Sequence, residues 1–210
     1  MLKNILLFFI TVSFLSSPTF GAEEAPAAPT SGPALELKTY LEELFDFSKK
    51  VNSEKADELN QAREKIGSSL DWEKVAEGCV GAKTWKKQSS GNRESFKKLL
   101  KDVILRTAYT RLDKFWLGGT TYLWEKLDVQ GDEATAISKF TVKKERFEVV
   151  YYLHKTNTWF IQDIAYEGER YGENINQQIS GFLKEHSFPD LLEKLKRRKQ
   201  ELISSESKKS

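Results

Sequence analysis

Along the first third of the chain, apolar residues return every three or four positions. Leu37, Tyr40, Leu41, Leu44 and Phe45 fall at i, i+3, i+4, i+7 and i+8, and so line one side of a helix. A second, more polar helical stretch follows to about Ile66. Asp71 stands as a cap before Trp72-Glu73-Lys74, and Gly81 closes the short helix that Asp71 opens. Phe96, Leu99, Leu100, Val103, Ile104, Thr107 and Ala108 repeat the same spacing and predict the longest run, reaching about Lys114.

From Thr120 the period changes to two, and turn signals arrive at Gln130-Gly131-Asp132, Lys144-Glu145 and Thr156-Asn157. Four strands in an antiparallel meander follow from this. If the second and third turns are two-residue loops, Val142 faces Phe147, Phe140 faces Val149, Ser138 faces Tyr151 and Ala136 faces Leu153. The next hairpin then sets Leu153 against Phe160, Val149 against Ile164 and Phe147 against Tyr166. All of these share one apolar face, because alternate residues point the same way. The other face carries Lys139, Glu148, His154 and Asp163 among Tyr152, Trp159 and Ile161. Beyond Gly168 the period is helical again, through Ile175, Ile179, Phe182 and Leu183. Ser187 caps a last helix through Leu191, Leu192 and Leu195.

The ends change the picture. A short positive start, Met1 to Asn4, runs into an apolar stretch from Ile5 to Leu15 and then small residues, with Thr19-Phe20-Gly21 just before the expected cut. That is the form of a secretory signal peptide, and the run falls short of the ~20 residues of a conventional membrane span. We therefore expect residues 1–21 to be a leader, 22–33 a Pro- and Ala-rich tether, 34–203 one domain and 204–210 a polar tail. The destination is the periplasm. The 33 basic residues nearly balance the 31 acidic ones, which argues against nucleic acid as a partner. The single Cys79 excludes an internal disulfide and falls on the apolar face with Trp72, Val75 and Ala76, the place of an inert buried thiol.

Catalytic and cofactor patterns are missing. His154, His186 and Cys79 lie in separate elements, too few for a zinc or iron site. Neither a phosphate-binding Gly-x-x-x-x-Gly-Lys loop nor a Gly-x-Ser-x-Gly elbow occurs. No cofactor and no enzymatic activity are expected. Asp113 or Asp163 beside a tyrosine is the remaining acid or base candidate, and a structural hydrogen bond is the better reading of Asp163.

Several segments in order carry a resemblance. Leu70-Asp71-Trp72-Glu73-Lys74-Val75-Ala76 is followed by Gly81-Ala82-Lys83-Thr84-Trp85-Lys86-Lys87, and then by the helix from Phe96 to Tyr109. Thr158-Trp159-Phe160-Ile161-Gln162-Asp163-Ile164 with Glu167-Gly168 and the closing helices complete the set. Together they resemble the MlaC-type phospholipid-binding family, also called the toluene-tolerance family. One departure is Glu169-Arg170, where that family carries an apolar residue and a serine.

The resemblance implies a carrier that shuttles phospholipid between an outer-membrane lipoprotein complex and the substrate-binding subunit of an inner-membrane ABC transporter. Two acyl chains in water cost on the order of 20 kcal/mol at about 0.8 kcal/mol per methylene, so such a carrier must enclose the tails. The expectation is an α+β fold, a four-stranded antiparallel meander packed against several helices around an apolar pocket. Its walls are the helix from Phe96 to Leu112 and the sheet face, with Leu100, Ile104, Ala136, Ser138, Phe140, Val149, Tyr151, Leu153, Phe160 and Ile164 toward the ligand. Small Ala136 and Ser138 opposite large side chains leave room for a hollow, or else pack a filled core. A pocket enzyme or small-ligand protein on a similar curved sheet, and a structural periplasmic adaptor, stay open as alternatives.

Overall fold

A computed structural model describes residues 31–50, 55–108, 120–142 and 145–207. The expected leader, most of the tether, Lys144 of the second turn and the extension of the long helix beyond Ala108 lie outside them. The elements in order are α1 (Gly32–Lys49), α2 (Ala56–Ser68), α3 (Trp72–Val80), α4 (Ala82–Lys86) and α5 (Ser90–Ala108), then β1 (Thr121–Gln130), β2 (Glu133–Val142), β3 (Glu145–Lys155), β4 (Trp159–Tyr166) and β5 (Glu169–Arg170), then α6 (Tyr171–Phe182) and α7 (Phe188–Ser207). The fold is α+β: one open antiparallel sheet in the order β1-β2-β3-β4-β5, packed against helices. It has five strands where the turn signals predict four. The extra one is a two-residue strand formed when Glu167 and Gly168, both at positive φ, turn the chain back on β4.

Local signals explain the ends. Asp71 accepts from the backbone N–H groups of Glu73 and Lys74 at 2.9 and 3.0 Å, capping α3. Ser187 and Asp190 exchange hydrogen bonds at the start of α7, the reciprocal pattern of a capping box with Asp in the outer place, and these bonds hold the Asp190 carboxyl below its usual range. The last helix continues to Ser207, past the boundary at 203 expected from composition.

The register differs from expectation in an instructive way. Phe140 pairs with Phe147, Ser138 with Val149, Ala136 with Tyr151 and Ala134 with Leu153, a slip of two residues. An even slip leaves every side chain on its expected face. In the next hairpin Lys155 pairs with Trp159, so the loop holds three residues rather than two. That odd change turns the first half of β4 over. Trp159 and Ile161 now share the face of Leu153, and Phe160 pairs with His154 on the other side. A bulge opposite Tyr152 and Leu153 then restores the parity, so Ile164, opposite Tyr151, is where the alternation predicts.

Two apolar cores result. One is helical: Val75, Ala76 and Cys79 of α3 pack with Trp85, Phe96, Leu100, Ile104, Ile175, Ile179, Phe188 and Leu191. The other lies between α1 and the sheet: Leu37 and Leu41 with Trp124, Ala134, Ala136, Tyr151, Leu153, Trp159 and Ile161. The outer side of β4 rests on α3 and α6, where Asp163 bonds Arg170 at 2.9 Å and the backbone N–H of Gly172 at 3.0 Å, a structural role. Cys79 is fully buried and its thiol is pushed up by burial, in keeping with an inert side chain.

Candidate functional site

The sheet face beneath α1 is a continuous apolar surface. A bulge in β1 between Trp124 and Lys126 lets Tyr122, Trp124, Leu127 and Val129 all face inward, although Trp124 and Leu127 are an odd number of places apart. Beta-branched and aromatic side chains from four strands therefore form one floor. Phe45 of α1 is driven into its middle, with ring centroids 4.8 Å from Tyr122, 5.5 Å from Trp124, 5.6 Å from Phe140 and 5.9 Å from Tyr151. Leu41 and Leu37, one and two turns earlier, are fully buried on the same floor.

The small residues do leave space above the sheet, and α1 fills it. Ala134 and Ala136 lie opposite Leu153 and Tyr151, and Ser138 turns its hydroxyl onto the Val149 carbonyl at 3.3 Å. Open grooves run along both flanks of the first turns of α1. One, of about 430 Å³, lies against Leu127, Asp128 and Val129 of β1. The other, of about 480 Å³, lies against Thr158 and Trp159 and is bordered by Tyr40 and Glu43.

Polar groups at the rim hold α1 in place. Lys155 at the end of β3 pairs with Glu36 at 2.7 Å, and its ammonium stands 5.6 Å from the centre of the Trp159 ring. Lys49 lies 4.7 Å from the centre of the Tyr122 ring. Tyr40 directs its hydroxyl at the Ser69 carbonyl across 3.5 Å, and burial pushes its phenol up to about 12. The Tyr122 phenol is raised to about 12 as well, first by burial and then by the nearby Glu42 and Asp46. Two polar atoms inside this core have no acceptor: the indole N–H groups of Trp124 and Trp159.

Of the expected wall residues, Ala136, Ser138, Phe140, Val149, Tyr151, Leu153 and Ile164 do share the floor. Phe160 does not, because the three-residue loop turns it to the opposite face. Leu100 and Ile104 are buried in the helical core rather than on the floor, and the stretch of the expected wall from Tyr109 to Leu112 lies outside the described residues. An apolar stripe shows that a helix is buried on one side and is silent about its partner. What the sequence analysis misses is α1 as the cover, the inward side of β1, and Trp159 with Ile161. A count of loop residues between Lys155 and Trp159 is the one local signal that decides the last pair.

Comparison with known proteins follows from this geometry. The family model described as MlaC protein matches residues 38–197. Among solved structures, the chain is similar to a phospholipid-binding protein from Ralstonia solanacearum determined in complex with a phospholipid. The TM-score is 0.65 at 16% identity, over 82% of this chain and 99% of that one. At that identity the likeness is one of fold. No curated protein sequence matches this one.

Proposed function

Given that the chain belongs to the MlaC family, we propose that it is a phospholipid carrier of the periplasm, holding acyl chains on the sheet face that α1 covers. The observation that carries this reading is the floor itself: Tyr122, Trp124, Ala136, Phe140, Tyr151, Leu153, Trp159 and Ile161 form one apolar surface, covered among the described residues by the amphipathic helix α1. The phospholipid in the similar Ralstonia protein supports it, since the same fold there accommodates such a ligand.

The mechanism follows from magnitudes. Leu37, Leu41 and Phe45 each contribute about 1.5–3 kcal/mol by burial. Two acyl chains offer several times as much apolar surface, at about 0.8 kcal/mol per methylene. A lipid can therefore replace the α1 side chains on the floor with a net gain, and reseating of α1 favours release once a partner draws the lipid away. The chain carries no nucleotide motif, so direction comes from the partners: an outer-membrane lipoprotein complex on one side and the substrate-binding subunit of an inner-membrane ABC transporter on the other. Residues 1–21 act as the export signal, and residues 22–33 tether the domain that follows.

Native mass spectrometry with solvent extraction on protein exported to the periplasm tests the reading. We expect one phospholipid per chain. A lipid-free protein that also takes none from phospholipid vesicles overturns it.

A further inference from the structure

Trp159 is 1% exposed, and its indole N–H has no acceptor, although a buried tryptophan ordinarily finds one. Leaving such a donor unpaired is costly, because its lost hydration is not replaced. Trp124 shares the deficit but sits beneath the Phe45 ring, whereas Trp159 borders the groove of about 480 Å³ beside α1. The same indole ring has Lys155 beside it, and the ammonium of Lys155 is neutralised by Glu36, a residue of the helix that must move for the floor to open. A displaced α1 takes Glu36 with it. It leaves an uncompensated cation next to an uncompensated N–H donor, at one end of an apolar floor.

That combination matches one ligand chemistry. In a diacyl glycerophospholipid the phosphate lies a few bonds from two ester carbonyls, and the tails leave from those same esters. We propose that this groove receives the head end of the lipid: Trp159 donates its indole N–H to an ester carbonyl, and Lys155 takes the phosphate in place of Glu36. The inference rests on the carrier reading above and adds to it a selection rule. The site reads the ester and phosphate common to diacyl phospholipids and leaves the rest of the headgroup in solvent. The tails then run from Trp159 along Leu153 and Tyr151 toward Phe140.

The experiment compares binding of a diester phosphatidylcholine, its dialkyl ether analogue and a diacylglycerol to the wild-type protein, to Trp159→Phe and to Lys155→Gln. Thermal midpoints are recorded for each. Phe keeps an apolar aromatic ring at the site while removing the N–H together with the five-membered ring. The wild type is expected to prefer the diester over the ether lipid by about five-fold, the worth of one net hydrogen bond, and Trp159→Phe is expected to erase that preference. Lys155→Gln frees Glu36 and so shifts binding of every lipid, and it is expected to lower the affinity for the phosphatidylcholine relative to that for the diacylglycerol. Equal affinity of the wild type for ester and ether lipids overturns the proposal, and that arm decides even if Trp159→Phe fails to fold. A loss of diacylglycerol binding in Lys155→Gln as large as that of phosphatidylcholine overturns the phosphate assignment. Failure of the wild type to take up any of the three lipids marks the failure of the carrier reading itself, and this inference falls with it.

Discussion

His154 on β3 holds its Nε2 3.2 Å from Oδ2 of Asp71, the same carboxylate whose other oxygen caps α3. The backbone N–H of Asp71 also donates to the Ile161 carbonyl at 2.9 Å, and Ile161 donates to Ser69 at 2.8 Å. One residue thus ends the turn after α2, starts α3 and fastens both to β4. Asp71→Ala should cost about 2 kcal/mol, a cap plus a side-chain hydrogen bond. The thermal midpoint should fall by about 4–8 °C in a domain of this size. Asp71→Asn, which still caps, should recover most of the loss; calorimetry on the two variants checks this.

Among the described residues, Phe45 touches four aromatic rings of the floor. Truncation to alanine removes a large buried side chain and leaves a void that the rigid sheet cannot close, so Phe45→Ala should cost about 3 kcal/mol or more. Urea denaturation followed by circular dichroism is the check. The same variant should take up phospholipid from vesicles faster than the wild type, because less must be displaced to bare the floor.

Tyr40 gives the protein a limit at high pH. Its phenol is raised from 10.0 to about 12 in the folded chain, chiefly by burial. A raised folded value means that its contribution is complete below pH 10 and is lost as the pH climbs toward 12. The urea midpoint should therefore fall between about pH 10 and about pH 12. The fall should be shallower in Tyr40→Phe, which has no phenol to ionise.

Much of this was legible in the residues. The helices of the first half apart from the short α4, the capping by Asp71 and Ser187, the meander and the inward set from Ala136 to Leu153 all follow from periods and caps. Where reasoning from the chain failed, the cause was a parity or a partner. One extra loop residue exchanged Phe160 for Trp159 and Ile161, whereas the slip of two in the neighbouring hairpin changed no face at all. Leu37 and Leu100 both lie on well-formed stripes, and nothing in either stripe says that α1 meets the sheet while α5 meets helices.

Glu206 joins three helices. It accepts from Arg63 of α2 at 2.6 Å and from Arg106 of α5 at 2.5 Å, and burial lowers the Arg63 guanidinium against the opposing pull of Glu206. Glu206→Gln should leave two neighbouring guanidiniums without their counter-charge, Arg63 nearly buried, at a cost of about 2 kcal/mol. Ending the chain at Ile203 should cost at least as much. Differential scanning fluorimetry of the variant and the truncated protein, each against the full chain, reads both.

The bulge in β1 does more than aim Trp124. Within the described sheet β1 is an outer strand of ten residues, long enough to recruit a strand from another chain. At the bulge its straight run is broken, and Glu125, Lys126 and Asp128 crowd the same stretch, with Lys126 and Asp128 paired at 3.0 Å. An incoming strand would have to bury those charges and match a kinked ladder. A newly made chain folds among many other unfolded ones, and this strand is built to refuse them, so its outer edge is a poor seed for aggregates.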